Sequence, residues 1–89
     1  MEKLLLAETK TAMTCRGETM ELCYYLVQGQ TPDGIQYGVE IRARTPEERT
    51  QARAEKLTAC RARAEQLLAQ LRRGMVTPTG LPDVVQDWL

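Results

Sequence analysis

The sequence predicts an α+β fold: a three-stranded antiparallel β-meander with one face covered by a long helix and a short C-terminal helix. Two observations favour it. In the first half of the 89-residue chain, apolar residues recur at every second position, as in strands with one buried face. In the second half they recur at spacings of three and four, as in amphipathic helices. We expect a single domain, residues 1–89.

Three segments are predicted to be strands, namely residues 3–15, 19–29 and 35–44. The alternation is clearest in the second strand, where Leu22 and Tyr24 would share the buried face. The middle strand is expected to be central, since short turns join it to both neighbours.

Two turn signals set the predicted pairing. A two-residue Arg-Gly turn places Met13 opposite Met20, and a four-residue loop ending at Asp33 places Tyr24 opposite Val39. The two pairings put their apolar residues on one common face.

The reverse face of the sheet is predicted to be mixed in character. Tyr25 would lie across from Gly38, and Glu21 across from Arg42. An apolar corner remains, formed by Leu6, Tyr25 and Val27. Since a meander also has two open edges, a homodimer is one arrangement that this face favours.

Residues 45–74 are predicted to form one long helix. Thr45-Pro46-Glu47-Glu48 has the order of a helix start, and Arg72-Arg73-Gly74 has the order of a helix end. The apolar stripe of this helix is Leu57, Cys60, Ala64, Leu67, Leu68 and Leu71.

The first half of that predicted helix lacks large apolar residues. On the same face it carries Arg49, Arg53 and Lys56, which we expect to project past the core as a basic helix end. A solvated helix surface is the simpler interpretation, and a docking surface is the alternative. The candidate partner surface comprises Tyr25, Val27, Arg42, Arg44, Arg49, Arg53 and Lys56.

The last residues predict a second, short helix, with Leu81, Val84, Val85, Trp88 and Leu89 on one face. This stripe is expected to pack on the sheet of its own chain. A helix that docks in the groove of another chain is the alternative.

Composition excludes several function classes. The chain has no His, and it has no Ser or Asn, so Ser-His and Cys-His catalysis are not available. Cys15, Cys23 and Cys60 lack metal-ligand spacing and are expected to be reduced, mostly buried thiols. We therefore predict no enzyme, cofactor, metal or small-molecule substrate.

Charge and hydropathy narrow the expected partners. Net charge is zero, but residues 42–73 carry an excess of basic side chains that the rest of the chain offsets. The longest apolar run, Leu4 to Ala7, is far shorter than a membrane span or a secretory signal requires. We predict a cytoplasmic protein that does not interact with membranes.

Three segments carry a family resemblance: Cys23 to Val27, Tyr37 to Ile41 and Thr77 to Leu89. They contain the sequences YYLV, YGVEI and LPDVVQDWL, and the chain resembles a family of small bacterial proteins of unknown function that shares such motifs. The resemblance implies a small cytoplasmic domain. It implies no activity and no site residue.

These observations predict a non-enzymatic protein-interaction module, with self-association as one form of the interaction. The alternative is a nucleic-acid-binding accessory protein that uses the basic end of the long helix, because Lys and Arg neutralise phosphates. Interleaved Glu residues and the absence of a recognised binding motif argue against the alternative.

Overall fold

The computed structural model describes residues 2–89 and confirms the α+β class. Its sheet is antiparallel throughout, with the strands in chain order. The elements are β1 (Lys3–Met13), β2 (Thr19–Thr31), β3 (Gly34–Arg44), β4 (Arg49–Thr58), α1 (Arg61–Arg73), a 3₁₀ turn (Pro78–Gly80) and α2 (Leu81–Trp88).

The sheet has four strands, so the predicted three-stranded meander is wrong by one strand. Residues 49–58, expected to be the first half of the long helix, form β4 and pair with β3. Small residues of β4 such as Ala52 and Ala54 face the helices, while Arg53 lies on the opposite face. Ala, Arg, Glu and Gln favour helices when isolated, but pairing with a neighbouring strand overrides this preference.

The segment predicted to cap the long helix is instead a hairpin turn. The backbone N–H of Thr45 donates to the carbonyl of Glu48 at 2.9 Å. The N–H of Glu48 donates to the Thr45 hydroxyl at 3.1 Å. Thr45 thus uses the same side-chain acceptor that would cap a helix, but here it closes the turn between β3 and β4.

Helix α1 is the second half of the predicted helix, and four residues of the predicted stripe pack as expected. Ala64, Leu67, Leu68 and Leu71 are buried. The other two lie outside the helix, Leu57 in β4 and Cys60 at the exposed position before α1. The helix ends at Arg73, but Gly74 keeps a right-handed conformation, and the left-handed residue is Met75 with a φ of 49°.

The predicted pairing of β2 with β3 is wrong by two residues and keeps the correct faces. Tyr24 lies opposite Ile41 rather than Val39. The loop has two residues, Pro32 and Asp33, because pairing continues to Thr31 and Gly34. A shift of two residues leaves every side chain on its original face.

The predicted pairing of β1 with β2 is wrong by one residue near the turn. Met20 lies opposite Ala12, and Met13 is exposed. The cause is a wider turn, in which Gly17 has a φ of 80° and its N–H donates to the Thr14 carbonyl. An irregularity in pairing between Leu6 and Glu8 changes the register again further along β1.

The core lies between the sheet and the two helices. Tyr24 is fully buried there, and its hydroxyl donates to the carbonyl of Val76 at 3.0 Å. Burial and, to a lesser degree, the Glu8 carboxylate raise the pKa of Tyr24. Helix α2 packs against β4 with Leu81 and Val85 buried, so the C-terminal stripe docks on its own chain.

Candidate interaction surface

The sheet face opposite the helices, called the open face below, carries most of the predicted surface residues. Strand pairing arranges them in rows that cross β2, β3 and β4. One row holds Glu21, Arg44 and Arg49. A second row holds Cys23, Arg42 and Gln51, and a third holds Tyr25, Glu40 and Arg53.

Glu40 is the centre of this face and is only 1% exposed. Its two carboxylate oxygens accept hydrogen bonds from separate arginines, one from Nε of Arg42 and one from Nε of Arg53 at 2.6 Å. A buried carboxylate needs such partners, because removing an ion from water without compensation is costly. The arginine side chains therefore cover Glu40 on the open face. On the other face, the helices cover the sheet.

Arg53 holds three carboxylates together. In addition to Glu40, its Nη1 donates to Glu2 at 2.7 Å and to Glu55 at 3.0 Å. Hydrogen bonds to Glu55, Glu40 and Glu2 raise the pKa of Arg53 above its ordinary value. The guanidinium is thus committed to its own chain and stabilises the face from within.

Arg42 is fixed at one end and free at the other. Its Nε is bound to Glu40, and its guanidinium lies over the ring of Tyr25 with 4.7 Å between Cζ and the ring centroid. Among residues 2–89, neither terminal nitrogen of Arg42 has a hydrogen-bond acceptor, and the side chain is 42% exposed. It is an oriented donor that faces solvent.

A recess of about 380 Å³ lies beside Arg42. Its lining includes Arg42, Arg44 and Arg49, the Tyr25 ring, Gln51 and one carboxylate, that of Glu21. Arg44 donates from Nη2 to both oxygens of Glu21 at 3.3 Å. Arg49 forms no salt bridge within residues 2–89 and is exposed. The recess therefore presents cationic donors beside an aromatic ring.

Two residues of the predicted surface are not available in the way the sequence suggested. Val27 lies on the open face but is only 3% exposed. Lys56 lies at an irregularity in β4 with a φ of 54°, away from the recess. Because Val27 is buried, the accessible part of the apolar corner is Leu6, which is 59% exposed, and the Tyr25 ring opposite it.

Gly38 explains where the irregularity in β4 falls. A Cβ on Gly38 would overlap the carbonyl oxygen of Ala54 and crowd Cα of Glu55. Only glycine lets β4 approach β3 this closely. The resulting bulge separates Lys56 from the row that contains Arg53.

The residue that the sequence analysis missed is Glu40 in its buried role. The predicted cross-strand pair of Glu21 with Arg42 is replaced by Glu21 with Arg44, and Glu40 takes Arg42 and Arg53. A signal was present, because Arg49, Gln51, Arg53 and Glu55 alternate with small residues. That period of two is typical of a strand, and together with a two-residue turn at Pro46-Glu47 it places Arg53 opposite Glu40.

The thiols and acidic groups do not assemble into a metal site. Within residues 2–89, no group of three or more His, Cys, Asp or Glu side chains is close enough to hold a metal ion. Cys15 and Cys60 are exposed and Cys23 is half-buried, so the prediction that the thiols are mostly buried is wrong. The thiol of Cys23 contacts Thr9 and Glu21. In the same part of the chain, no helix has both the length and the apolar character that crossing a membrane requires.

The fold and the surface together define a small α+β protein whose helix-backed sheet presents an organised charged face. Residues 3–89 match the model of a family described as Family of unknown function (DUF6514), and the chain belongs to this family. The family resemblance found in the sequence is thereby confirmed. Comparison with curated proteins and with solved structures gives no match.

Proposed function

We propose that this chain is a non-enzymatic protein-interaction module and that the open face is its contact surface. The observation that supports the proposal is the state of Arg42. Its orientation is fixed by Glu40 and Tyr25, and its terminal nitrogens remain free to donate. A donor held in place before binding loses less conformational entropy when a partner arrives.

The chemistry of the recess indicates what part of a partner it would accept. Arg42, Arg44 and Arg49 can donate to a carboxylate, and the Tyr25 ring provides a flat apolar wall. Arginine and tyrosine are also the residues that most often contribute the main binding energy at protein interfaces. We therefore expect an acidic segment of a partner protein to lie across the rows of the open face.

Nucleic acid is the competing ligand for the same arginines. Acidic side chains are interleaved with the arginines of this face, including Glu21 and Glu40. The basic helix end on which nucleic-acid binding was predicted is strand β4 in the structure. A charge pattern of both signs suits a protein partner better than a phosphate backbone.

Site-specific photo-crosslinking in the native cell tests the proposal. The variant Gln51→p-benzoylphenylalanine places the crosslinker beside the recess, and Gln70→p-benzoylphenylalanine places it on the exposed side of α1 as a matched control. We expect a discrete protein adduct from position 51, lost on adding Arg42→Glu, and none from position 70. Adducts from position 70 alone would overturn the proposal.

Fluorescence anisotropy of a labelled single-stranded oligonucleotide tests whether the chain binds nucleic acid instead of a protein partner. Binding that is tight at low salt, falls steeply as salt rises, and disappears in Arg42→Glu would replace the protein partner with nucleic acid. No binding at low salt is the outcome that the proposal predicts.

A further inference from the structure

An apolar groove runs along the free edge of the sheet, away from the open face. Its floor is Ala52 and Ala54 of β4, and its wall is Leu81, Val85 and Leu89 from α2 and the C-terminus. The groove measures about 360 Å³, and Leu89 beside it is 79% exposed. Small side chains on β4 leave this space unfilled.

The floor of the groove is also an edge strand. Strand β4 pairs with β3 on one side, and no strand formed by residues 2–89 lies on the other. The outward backbone groups of an edge strand can pair with a further strand, which is the usual route to sheet extension. An occupant that supplies both a strand and apolar side chains would satisfy the edge and fill the groove together.

We infer that the occupant is a second copy of this chain, with the two β4 strands paired antiparallel about a two-fold axis through Ala52. In this register, Arg49 of one copy lies opposite Glu55 of the other, and Gln51 lies opposite Arg53. Each copy contributes one Arg49 and one Glu55, so two opposite-charge pairs form. The paired region ends near Lys56, where the bulge interrupts the strand.

The charged side chains favour this register over registers in which the axis is shifted along β4. A shift of the axis to residue 51 would place Arg49 opposite Arg53, and a shift to residue 53 would place Arg53 opposite its own copy. Directly opposed like charges destabilise a strand pair. A register with an odd offset would put the helices of the two copies on opposite faces, so the two grooves could not meet.

The same axis brings the two apolar grooves together. It is perpendicular to the sheet, so both copies keep their helices on one side and Ala52 faces its own equivalent. The α2 residues Val85 and Leu89 of each copy then pack across the axis over a floor of alanines. The result is a continuous eight-stranded sheet whose open faces form one platform, and it goes beyond the open-face contact proposed above.

Disulfide trapping tests the contact directly. In the full chain with Cys15→Ser, Cys23→Ser and Cys60→Ser, Ala52→Cys places a thiol on the axis. Residues directly opposite in an antiparallel pair have Cα atoms about 4.5 to 5.5 Å apart, within the range of a disulfide. We expect a covalent dimer after mild oxidation. The control is Thr11→Cys on β1, the other edge, which is expected to stay monomeric.

Sedimentation equilibrium tests the register. We expect Arg49→Glu and Glu55→Arg each to raise the dimer dissociation constant about tenfold, and the double exchange to restore it. Arg73→Glu on α1 is the matched control and should leave the constant unchanged. Circular dichroism confirms that each variant is folded.

A wild-type chain that is monomeric at about 100 μM, or equal trapping by Thr11→Cys, would overturn the inference. Either result leaves the open-face proposal intact, because that proposal rests on an adduct with a different protein that is lost on adding Arg42→Glu, and Arg42 lies in β3, away from the β4 edge.

Discussion

The two faces of the sheet exclude water by different means. Ile41 and Glu40 are neighbours in β3, point to opposite faces and are 0% and 1% exposed. Ile41 belongs to the apolar cluster that the helices cover. Glu40 is covered by Arg42 and Arg53, whose aliphatic stems lie on the sheet and whose charged ends satisfy its carboxylate.

The adjacent tyrosines repeat the contrast. Tyr24 is buried in the core and donates its hydroxyl to the Val76 carbonyl. Tyr25 lies on the open face under the Arg42 guanidinium. The comparison shows that a strand residue can be buried on a face without helices when side chains of neighbouring strands cover it, as Arg42 and Arg53 cover Glu40. The charged groups of that cover can also pair with groups of a partner.

The largest effect is expected from removing the cover of Glu40. Arg42→Met together with Arg53→Met keeps the apolar stems and removes both positive charges. Because a buried carboxylate then loses both partners, we expect the free energy of unfolding to fall by about 3 to 5 kcal/mol. Urea denaturation followed by circular dichroism measures the change.

A third substitution distinguishes charge from packing. Adding Glu40→Met should recover most of the loss, since no buried charge then remains to be compensated. Glu2 and Glu55, which also lose Arg53, are 45% and 47% exposed and are hydrated by water. A double variant within about 1 kcal/mol of the wild type would show that water replaces the arginines, and the proposed equivalence of the two faces would be wrong.

A somewhat smaller effect is expected from a cavity on the helix-covered face. Leu67→Ala removes a side chain that is fully buried in α1. We expect a loss of about 2 to 4 kcal/mol in the free energy of unfolding, from lost burial and the cavity left behind. Gln66→Ala, exposed on the same helix, is the control and should change stability little. Equal effects would mean that α1 does not seal this face.

Much of the helix-covered face was predictable from the sequence. The buried residues of α1, the short C-terminal helix and the apolar side of β2 follow from their periods of 3.6 and two. The apolar periodicity of these segments is clear because all of these residues face the same core. The exact pairing was not predictable, because it depends on the φ of Gly17 and on turn lengths that the sequence leaves open.

The open face was predicted only in part. The sequence placed Arg42 and Arg44 on it correctly, but assigned Arg49 and Arg53 to a helix. Residues 49–56 are rich in good helix formers and include no large apolar residue, so local propensity gave the wrong answer. What decides its structure is the contact of β4 with β3 and the fit of Gly38 against Ala54, which are distant in sequence.

The smallest effect is expected from the hydroxyl of Tyr24. Tyr24→Phe keeps the ring in the core and leaves the Val76 carbonyl without its donor. We expect a loss of about 1 kcal/mol near neutral pH, the usual net value of one such hydrogen bond. Tyr25→Phe is the matched control on the open face and should change stability less, because its ring contact with Arg42 is kept.

The pH dependence gives Tyr24 a signature that packing alone would not. Its folded pKa is raised, so an unfolded chain loses this proton first, near the ordinary tyrosine pKa of 10.0. Stability from the neutral hydroxyl is therefore complete below that pH and is lost as pH rises through the folded pKa. The difference in unfolding free energy between wild type and Tyr24→Phe should be constant from pH 7 to 9 and shrink above about pH 10. Urea denaturation across this range measures it, and a difference that does not shrink would show that Tyr24 is not held neutral by the core.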